Sequence, residues 1–192
     1  MLPIPQTPVS DLPTADRWLC KPKSHSYRCF AFRDGKTVDI RSKRGTLLNR
    51  HFPYVVAALA KVNAQTFVLD GELLVISDGR RDFDSEQLRM HPGESRAKKL
   101  SAEAPALFMA FDLVVAAKGK DVSREPFEVR REVLEVRGAG KSPMIPAVRD
   151  HTVDRHGARL VEAGRSVIDG IVAKRGAERD PAGKRMMQKF KR

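Results

Sequence analysis

The hydrophobic pattern of the chain predicts several strands that alternate with helices. Residues 27–33 alternate apolar and polar side chains, an aspartate-glycine pair follows, and residues 37–41 form the return strand of a hairpin. Two longer apolar runs, at residues 67–76 and 107–115, predict buried strands. The pattern therefore indicates an α+β fold with antiparallel strand pairs.

A spacing of three and four residues between apolar positions predicts the helices. In the first of them, residues 52–62 carry the apolar side and Asn49 is a candidate cap. The other predicted helices cover residues 83–90, 127–137 and 152–163. We expect mobility in the polar segment 91–105 and a short strand at 145–148. Neither helix 127–137 nor strand 145–148 shows visible chemistry.

Composition and charge narrow the class of protein. The chain has 192 residues, of which 41% are hydrophobic and 31% charged, so a globular domain is expected. The net charge of +12 predicts a polyanionic partner. We predict one domain over residues 1–192, in which the proline-rich residues 1–15 form an extended arm.

The cysteines and the N-terminal sequence bear on the compartment. Cys20 and Cys29 have no spacing typical of zinc or of a disulfide framework, and His151 and His156 lie five residues apart, which does not align ligands on a helix. The start of the chain lacks a basic, apolar leader, and no segment is apolar enough to span a membrane. We expect a cytoplasmic protein that does not bind membranes.

Lys23 is a candidate nucleophile in a short polar loop before the first strand of the hairpin. A lysine attacks only in its neutral form, which nearby cations favour, and Lys21 and Arg28 supply such cations. The alternative is that Lys23 is one of many solvated basic residues.

Asp70 and Glu72 lie two residues apart in an apolar strand, and hence on one face of it. Buried carboxylates need partners. A nucleotide ribose would suit them, and an ion pair with Arg28 or Arg41 is the alternative.

Six stretches resemble, in order, the motifs of ATP-dependent DNA ligases. They are Lys23 with Arg28, Ser42 with Lys43, Asp70-Gly71-Glu72, Phe108 to Asp112, Asp169 to Lys174, and Lys189 with Lys191. The resemblance implies an adenylation domain with the nucleotidyltransferase (ATP-grasp-like) fold, in which helices flank two antiparallel sheets and ATP lies in the cleft between them. It also implies an enzyme that forms a lysyl-AMP, passes AMP to a DNA 5′-phosphate and seals nicked duplex DNA in repair or recombination.

The resemblance assigns roles to individual residues. Lys23 would be the nucleophile, and Lys189 and Lys191 would bind the α-phosphate and offset its charge. The residues implied to hold the nucleotide are Arg28, Glu72 on the ribose, Phe111 on the adenine face and Lys174. Those implied to hold Mg²⁺ are Asp169 and Glu72. Those implied to contact DNA are Arg41, Ser42, Lys43 and Arg44. Phe108 is expected in the core.

The nucleotidyl-lysine motif is degenerate. His25 and Ser26 stand where the family has aspartate and glycine, and Lys21 replaces an acid or amide. A catalytically impaired nucleic-acid-binding module is therefore one alternative, and an RNA ligase or capping guanylyltransferase is another. Family members continue into an oligonucleotide-binding domain, so we expect either a partner protein that supplies it or inefficient sealing.

Overall fold

The structure, a computed structural model, describes residues 6–9, 18–23, 27–77, 80–90, 93–137, 145, 151–152, 170–175 and 187–191. The strands in these residues are β1 (Gln6–Val9), β2 (Trp18–Lys23), β3 (Tyr27–Asp34), β4 (Thr37–Ser42), β5 (Thr66–Ser77), β6 (Arg80–Arg81), β7 (Ala106–Val115), β8 (His151–Thr152), β9 (Gly170–Arg175) and β10 (Met187–Lys191). The helices are α1 (Pro53–Ala60), α2 (Phe83–Arg89), α3 (Glu94–Glu103) and α4 (Phe127–Arg137). The fold is α+β.

The chain divides into two compact units, each with one five-stranded sheet. In the first unit the strand order is β1-β10-β9-β2-β8, and in the second it is β4-β3-β5-β6, with β7 also paired to β5. The sheet of the second unit is antiparallel throughout. The expectation of two antiparallel sheets is correct for this sheet only, because β1 runs parallel to β10 in the other.

The core of the second unit lies on one face of its sheet. Alternation along β3 puts Cys29 and Ala31 on that face, and β5 and β7 add Leu69, Leu73 and Phe108. Helix α1 covers them with its own apolar residues. Phe108 is therefore a core residue, as predicted.

Polar side chains complete the backbone hydrogen bonds around this core. Arg33 is buried, and its Nη1 donates to the carbonyl oxygens of Leu59 at 3.3 Å and Val62 at 2.6 Å, at the C-terminal end of α1. Asn49 accepts from the amide of Ile40 and donates to the carbonyl of Val38, both at 2.7 Å. Asn49 thus completes the edge of β4, and its prediction as a helix cap is wrong.

The structure changes several other predictions. Segment 91–105 contains α3, because its residues from Glu94 onward favour a helix more strongly than its glycine and proline interrupt one. Of the predicted extended arm, residues 1–15, only residues 6–9 are described, and they form β1, whose backbone pairs with β10. Of the predicted helix 152–163 only Thr152 is described, in β8, and of the predicted strand 145–148 only Ile145.

The hairpin and the long strands are confirmed. Gly35 has a φ of 57° in the turn between β3 and β4, a value that glycine adopts without strain. None of the helices in the described part of the chain is both long and apolar enough to span a bilayer.

Candidate functional site

The face of the antiparallel sheet opposite the core carries a cluster of charged residues. Residues directly opposite each other in an antiparallel pair share a face, and the register pairs Arg28 with Glu72 and Phe30 with Asp70. On the far side of β5, Asp112 of β7 lies opposite Asp70. Three carboxylates and an arginine therefore meet across three neighbouring strands.

Arg28 and Asp70 form a bidentate ion pair. Arg28 Nε donates to Oδ1 at 3.0 Å and Nη2 to Oδ2 at 2.6 Å. Burial alone would lower the pKa of Arg28, but the charges of Asp70, Asp112 and Glu72 outweigh it and raise the pKa above its ordinary value. Arg28 is thus held as a cation, and the ion-pair alternative is confirmed for Asp70.

Glu72 is buried and lies opposite Arg28. Its position next to the Arg28–Asp70 pair is compatible with the predicted contact to a ribose, which stays a prediction.

Phe111 and Asp112 lie at an irregularity in β7. The pairing with β5 runs from Gly71–Ala110 to Asp70–Asp112, so Phe111 is the extra residue of a β-bulge. Phe111 is buried but does not belong to the core cluster. This distinguishes it from Phe108 and keeps the predicted stacking role open.

Two consecutive arginines of α4 hold this bulge. Arg130 Nε and Nη2 donate to the two oxygens of Asp112 at 2.8 and 2.7 Å, and Arg131 Nη1 donates to the Phe111 carbonyl at 2.9 Å. Both arginines are buried. Helix 127–137, for which the sequence shows no visible chemistry, thus contributes two buried arginines that hold this bulge.

The sheet of the first unit carries lysines in register. Lys23 of β2 and Lys191 of β10 both lie opposite Gly170 of β9, which separates them. Lys21 and Lys189 flank Val172 in the same way. Lys23 is the last residue of a paired strand, so its prediction in a loop is wrong, because β9 supplies backbone partners up to Gly170.

Lys174 belongs to the same face, since it lies two residues beyond Val172 on β9. Five lysines thus occupy one face of three adjacent strands: Lys21, Lys23, Lys174, Lys189 and Lys191. Lys174 is buried, and its Nζ lies 4.0 Å from the centroid of the Phe127 ring. This cation–π contact offsets part of the cost of burying the charge.

The predicted DNA-binding residues form the end of β4 and the turn after it. Ser42 Oγ accepts from the backbone amides of Arg44 at 3.3 Å and Thr46 at 3.2 Å, which shapes the turn. Lys43 and Arg44 are exposed. Arg41 forms an ion pair with Asp39 at 2.6 Å. Lys43 and Arg44, like Arg41, are therefore exposed cations at this turn.

The buried thiol of Cys29 lies next to the charged cluster. Burial, and then the charges of Asp70 and Glu72, raise the pKa of Cys29 well above its ordinary value. Cys29 is therefore protonated at neutral pH and is not a candidate nucleophile.

Comparison with known proteins identifies the family. Residues 9–191 match the family described as the ATP dependent DNA ligase domain. The chain belongs to this family.

Curated relatives of this ligase domain include DNA ligases of mycobacteria. DNA ligase C2 of Mycolicibacterium smegmatis is 37% identical over 158 residues, which cover 80% of this chain and 44% of that protein. DNA ligase C of Mycobacterium tuberculosis is 35% identical over 179 residues, which cover 89% of this chain and 49% of that protein. The chain spans about half the length of the curated relatives it matches.

Solved structures support the fold of the ligase domain. The ligase domain of M. tuberculosis LigD superposes with a TM-score of 0.67 at 23% identity, covering 98% of this chain and 59% of that one. A mycobacterial DNA ligase D complexed with ATP and MES gives a TM-score of 0.65 at 22% identity, covering 97% of this chain and 60% of that one.

Part of the ligase site was missed from the sequence although a signal was present. In α4, Arg130 and Arg131 occupy the positions three and four residues after Phe127, and Leu134 continues the same apolar stripe. Arginines on a buried stripe need acceptors, and this requirement points to a partner such as Asp112. The partnership of Lys174 with Phe127 had no such local signal.

The predicted Mg²⁺ ligands of the ligase domain are Asp169 and Glu72. Asp169 lies outside the described residues. Within those that are described, no three His, Cys, Asp or Glu side chains come together as a metal-binding group. Glu72 is therefore the predicted metal ligand that the structure describes.

Proposed function

We propose that this ligase domain transfers AMP from ATP to Lys23 and then to DNA, as a step of DNA repair or recombination. The Lys23 amine attacks the α-phosphorus, a P–N bond forms, and pyrophosphate leaves. The 5′-phosphate of nicked duplex DNA then takes the AMP, and the 3′-hydroxyl displaces it as the phosphodiester bond forms. The observation that carries the proposal is the row of Lys23, Gly170 and Lys191 across three strands.

This row suits a phosphate. Adjacent strands lie about 5 Å apart, so the Cα atoms of Lys23 and Lys191 are about 10 Å apart. The residue between them is a glycine, which adds no side chain to the gap. Cations on both sides of a reacting phosphoryl group offset its developing charge, and they also favour the neutral, attacking form of a neighbouring lysine.

The nucleoside would be held by Arg28, Glu72, Phe111 and Lys174. Glu72 accepts hydrogen bonds from the ribose hydroxyls, and the Phe111 ring stacks on adenine. Arg28 presents a permanent cation, since its pKa is raised by the surrounding carboxylates, although burial opposes them. The exclusion of Phe111 from the core cluster supports its role in stacking.

Mg²⁺ fits this proposal. It is usually bound by one or two carboxylates together with substrate phosphates, so a group of three protein ligands is not required. Glu72 and Asp169 would hold it. When bound, Mg²⁺ neutralises charge on the phosphates.

The test is direct. The protein is incubated with ATP and Mg²⁺ and its intact mass is measured. We expect the added mass of one AMP, removed again by pyrophosphate, and no addition from GTP. An unmodified mass under conditions that label M. tuberculosis DNA ligase C would refute the proposal.

A second candidate function is nucleic-acid binding without catalysis. It is supported by His25 and Ser26 in the nucleotidyl-lysine motif and by the exposed Lys43 and Arg44. If His25→Asp with Ser26→Gly restores AMP attachment to a chain that otherwise lacks it, the defect lies in the motif. The second function then applies if the natural chain binds DNA without nucleotide and binds it equally well when Lys23 is replaced.

The turn after β4, which carries Lys43 and Arg44, gives a prediction that holds whether the chain is catalytic or only binds nucleic acid. Replacing Lys43 and Arg44 together by alanine is expected to weaken duplex DNA binding about 10-fold and to reduce the slope of log affinity against log salt by roughly 2, because two phosphate contacts are lost. Lys99→Ala is the matched control, since Lys99 is exposed on α3 and pairs only loosely with Glu103, at 3.8 Å. Fluorescence anisotropy at several salt concentrations measures both. An unchanged slope would exclude this turn from the DNA interface.

A further inference from the structure

Helix α4 supports the proposed nucleotide site through two arginines, neither of which is proposed to contact the nucleotide. Arg130 binds the Asp112 carboxylate through two nitrogens, and its Nη1 also donates to the Ser123 carbonyl at 3.3 Å. Arg131 donates to the backbone carbonyl of Phe111, the residue before Asp112. Both residues at the β7 bulge are therefore fixed by the same turn of one helix.

The bulge at Phe111 interrupts the pairing of β7 with β5. Phe111 has no Cα partner on β5, and in the described residues β7 pairs with no other named strand. A bulged residue loses part of its ladder hydrogen bonding, and an orphan carbonyl is costly when buried. The Arg131 guanidinium donates to the Phe111 carbonyl at 2.9 Å.

The two aspartates at this point of the sheet also need neutralising partners. Asp112 lies opposite Asp70, and like charges directly opposite each other in a sheet repel. Arg28 neutralises Asp70 and Arg130 neutralises Asp112, both in bidentate geometry. Without Arg130, the Asp112 carboxylate would compete for Arg28.

We propose that Arg130 and Arg131 are positioning residues that fix the Phe111–Asp112 bulge, so that the Phe111 ring keeps one orientation in which a purine base stacks on it. The inference rests on the proposed function for the identity of the ligand. Neither arginine touches the nucleotide. Both act through β7, so their loss affects recognition of the base and leaves recognition of the triphosphate intact.

The first arm of the test needs no nucleotide. The protein is labelled with 4-fluorophenylalanine at its nine phenylalanines, and the Phe111 line is assigned by its loss in Phe111→Leu. In the ¹⁹F spectrum we expect one narrow Phe111 line for the natural chain, and a split or broadened line in Arg130→Lys and Arg131→Lys, because lysine cannot reproduce the fork of donors.

The second arm measures binding of α,β-methylene-ATP, which cannot transfer AMP, and of tripolyphosphate, which lacks the base. Arg130→Lys is expected to raise the dissociation constant of the nucleotide about 10-fold, as the loss of one charge-assisted hydrogen bond does, and that of tripolyphosphate less than about 2-fold. Arg33→Lys is the matched control, a buried arginine of the same unit that holds α1 instead. It should leave both constants unchanged.

The outcomes separate this inference from the proposed function. An unchanged Phe111 line, or equal losses of nucleotide and tripolyphosphate affinity, overturns the positioning role. If the natural chain does not bind the nucleotide analogue, the proposed function fails. The ¹⁹F spectra alone then decide whether the two arginines fix the ring.

Discussion

Replacing Lys23 by arginine is expected to abolish AMP attachment. Arginine keeps the positive charge next to Gly170 and Lys191, but its guanidinium does not lose a proton in proteins and cannot attack phosphorus. Removing the nucleophile of a covalent step lowers the rate by about 10⁴-fold or more. Intact mass spectrometry after incubation with ATP and Mg²⁺ measures the effect, with circular dichroism to confirm folding.

Lys36→Arg is the control for this substitution. Lys36 is an exposed lysine in the turn between β3 and β4, so the same chemical change there should leave AMP attachment at the level of the natural chain. If Lys23→Arg still gains one AMP, another lysine is the nucleophile. Peptide mapping would then identify it among the lysines of the β2-β9-β10 face.

The row of Lys23, Gly170 and Lys191 across three strands could not be predicted from the sequence. Lys23 and Gly170 are 147 residues apart, as their positions show, and no local pattern sets the register between strands so distant. The sequence did predict the lysines at 189 and 191 on one face of a strand, since residues two apart on a strand share a face. The sequence did not predict that β9 lies between β2, which carries Lys23, and β10, which carries Lys191.

The antiparallel sheet was predictable for the opposite reason. Its hairpin and its two long strands are indicated by alternation, a glycine turn and apolar runs, which are all local properties. The partner of Asp70 was narrowed to two arginines, and the register selects Arg28 because β3 lies directly next to β5. Arg41 lies one strand further away and pairs with Asp39.

Segment 91–105 shows where composition misleads. Its charged and polar residues predict solvent exposure, which a surface helix satisfies as well as a loop does. From Glu94 to Glu103 the residues include Arg96 and Lys99, exposed on α3. Polarity alone therefore did not distinguish a helix from an irregular segment, and helix propensity was the better guide.

Of Gly35, Gly45, Gly71 and Gly119, Gly71 is the position where a single added methyl group is expected to destabilise the fold most. An alanine Cβ there would overlap the carbonyl oxygen of Met109 and lie 2.7 Å from Cζ of Phe108. The carbonyl belongs to the backbone of β7 and the ring is fully buried, so neither moves away easily. We expect Gly71→Ala to lower the free energy of unfolding by about 3 kcal/mol, the cost of overpacking a core that includes backbone.

Urea unfolding followed by circular dichroism measures this loss, and Gly35→Ala provides the comparison. A methyl group added at Gly35 would meet no other atom within 4 Å, so this substitution costs only the strain of a φ of 57°, about 1 kcal/mol. Gly71 separates Asp70 from Glu72, so the close contact between β5 and β7 also fixes where the two carboxylates lie. If Gly71→Ala unfolds at the same urea concentration as the natural chain, β7 can move away from β5, and this contact does not set the positions of Asp70 and Glu72.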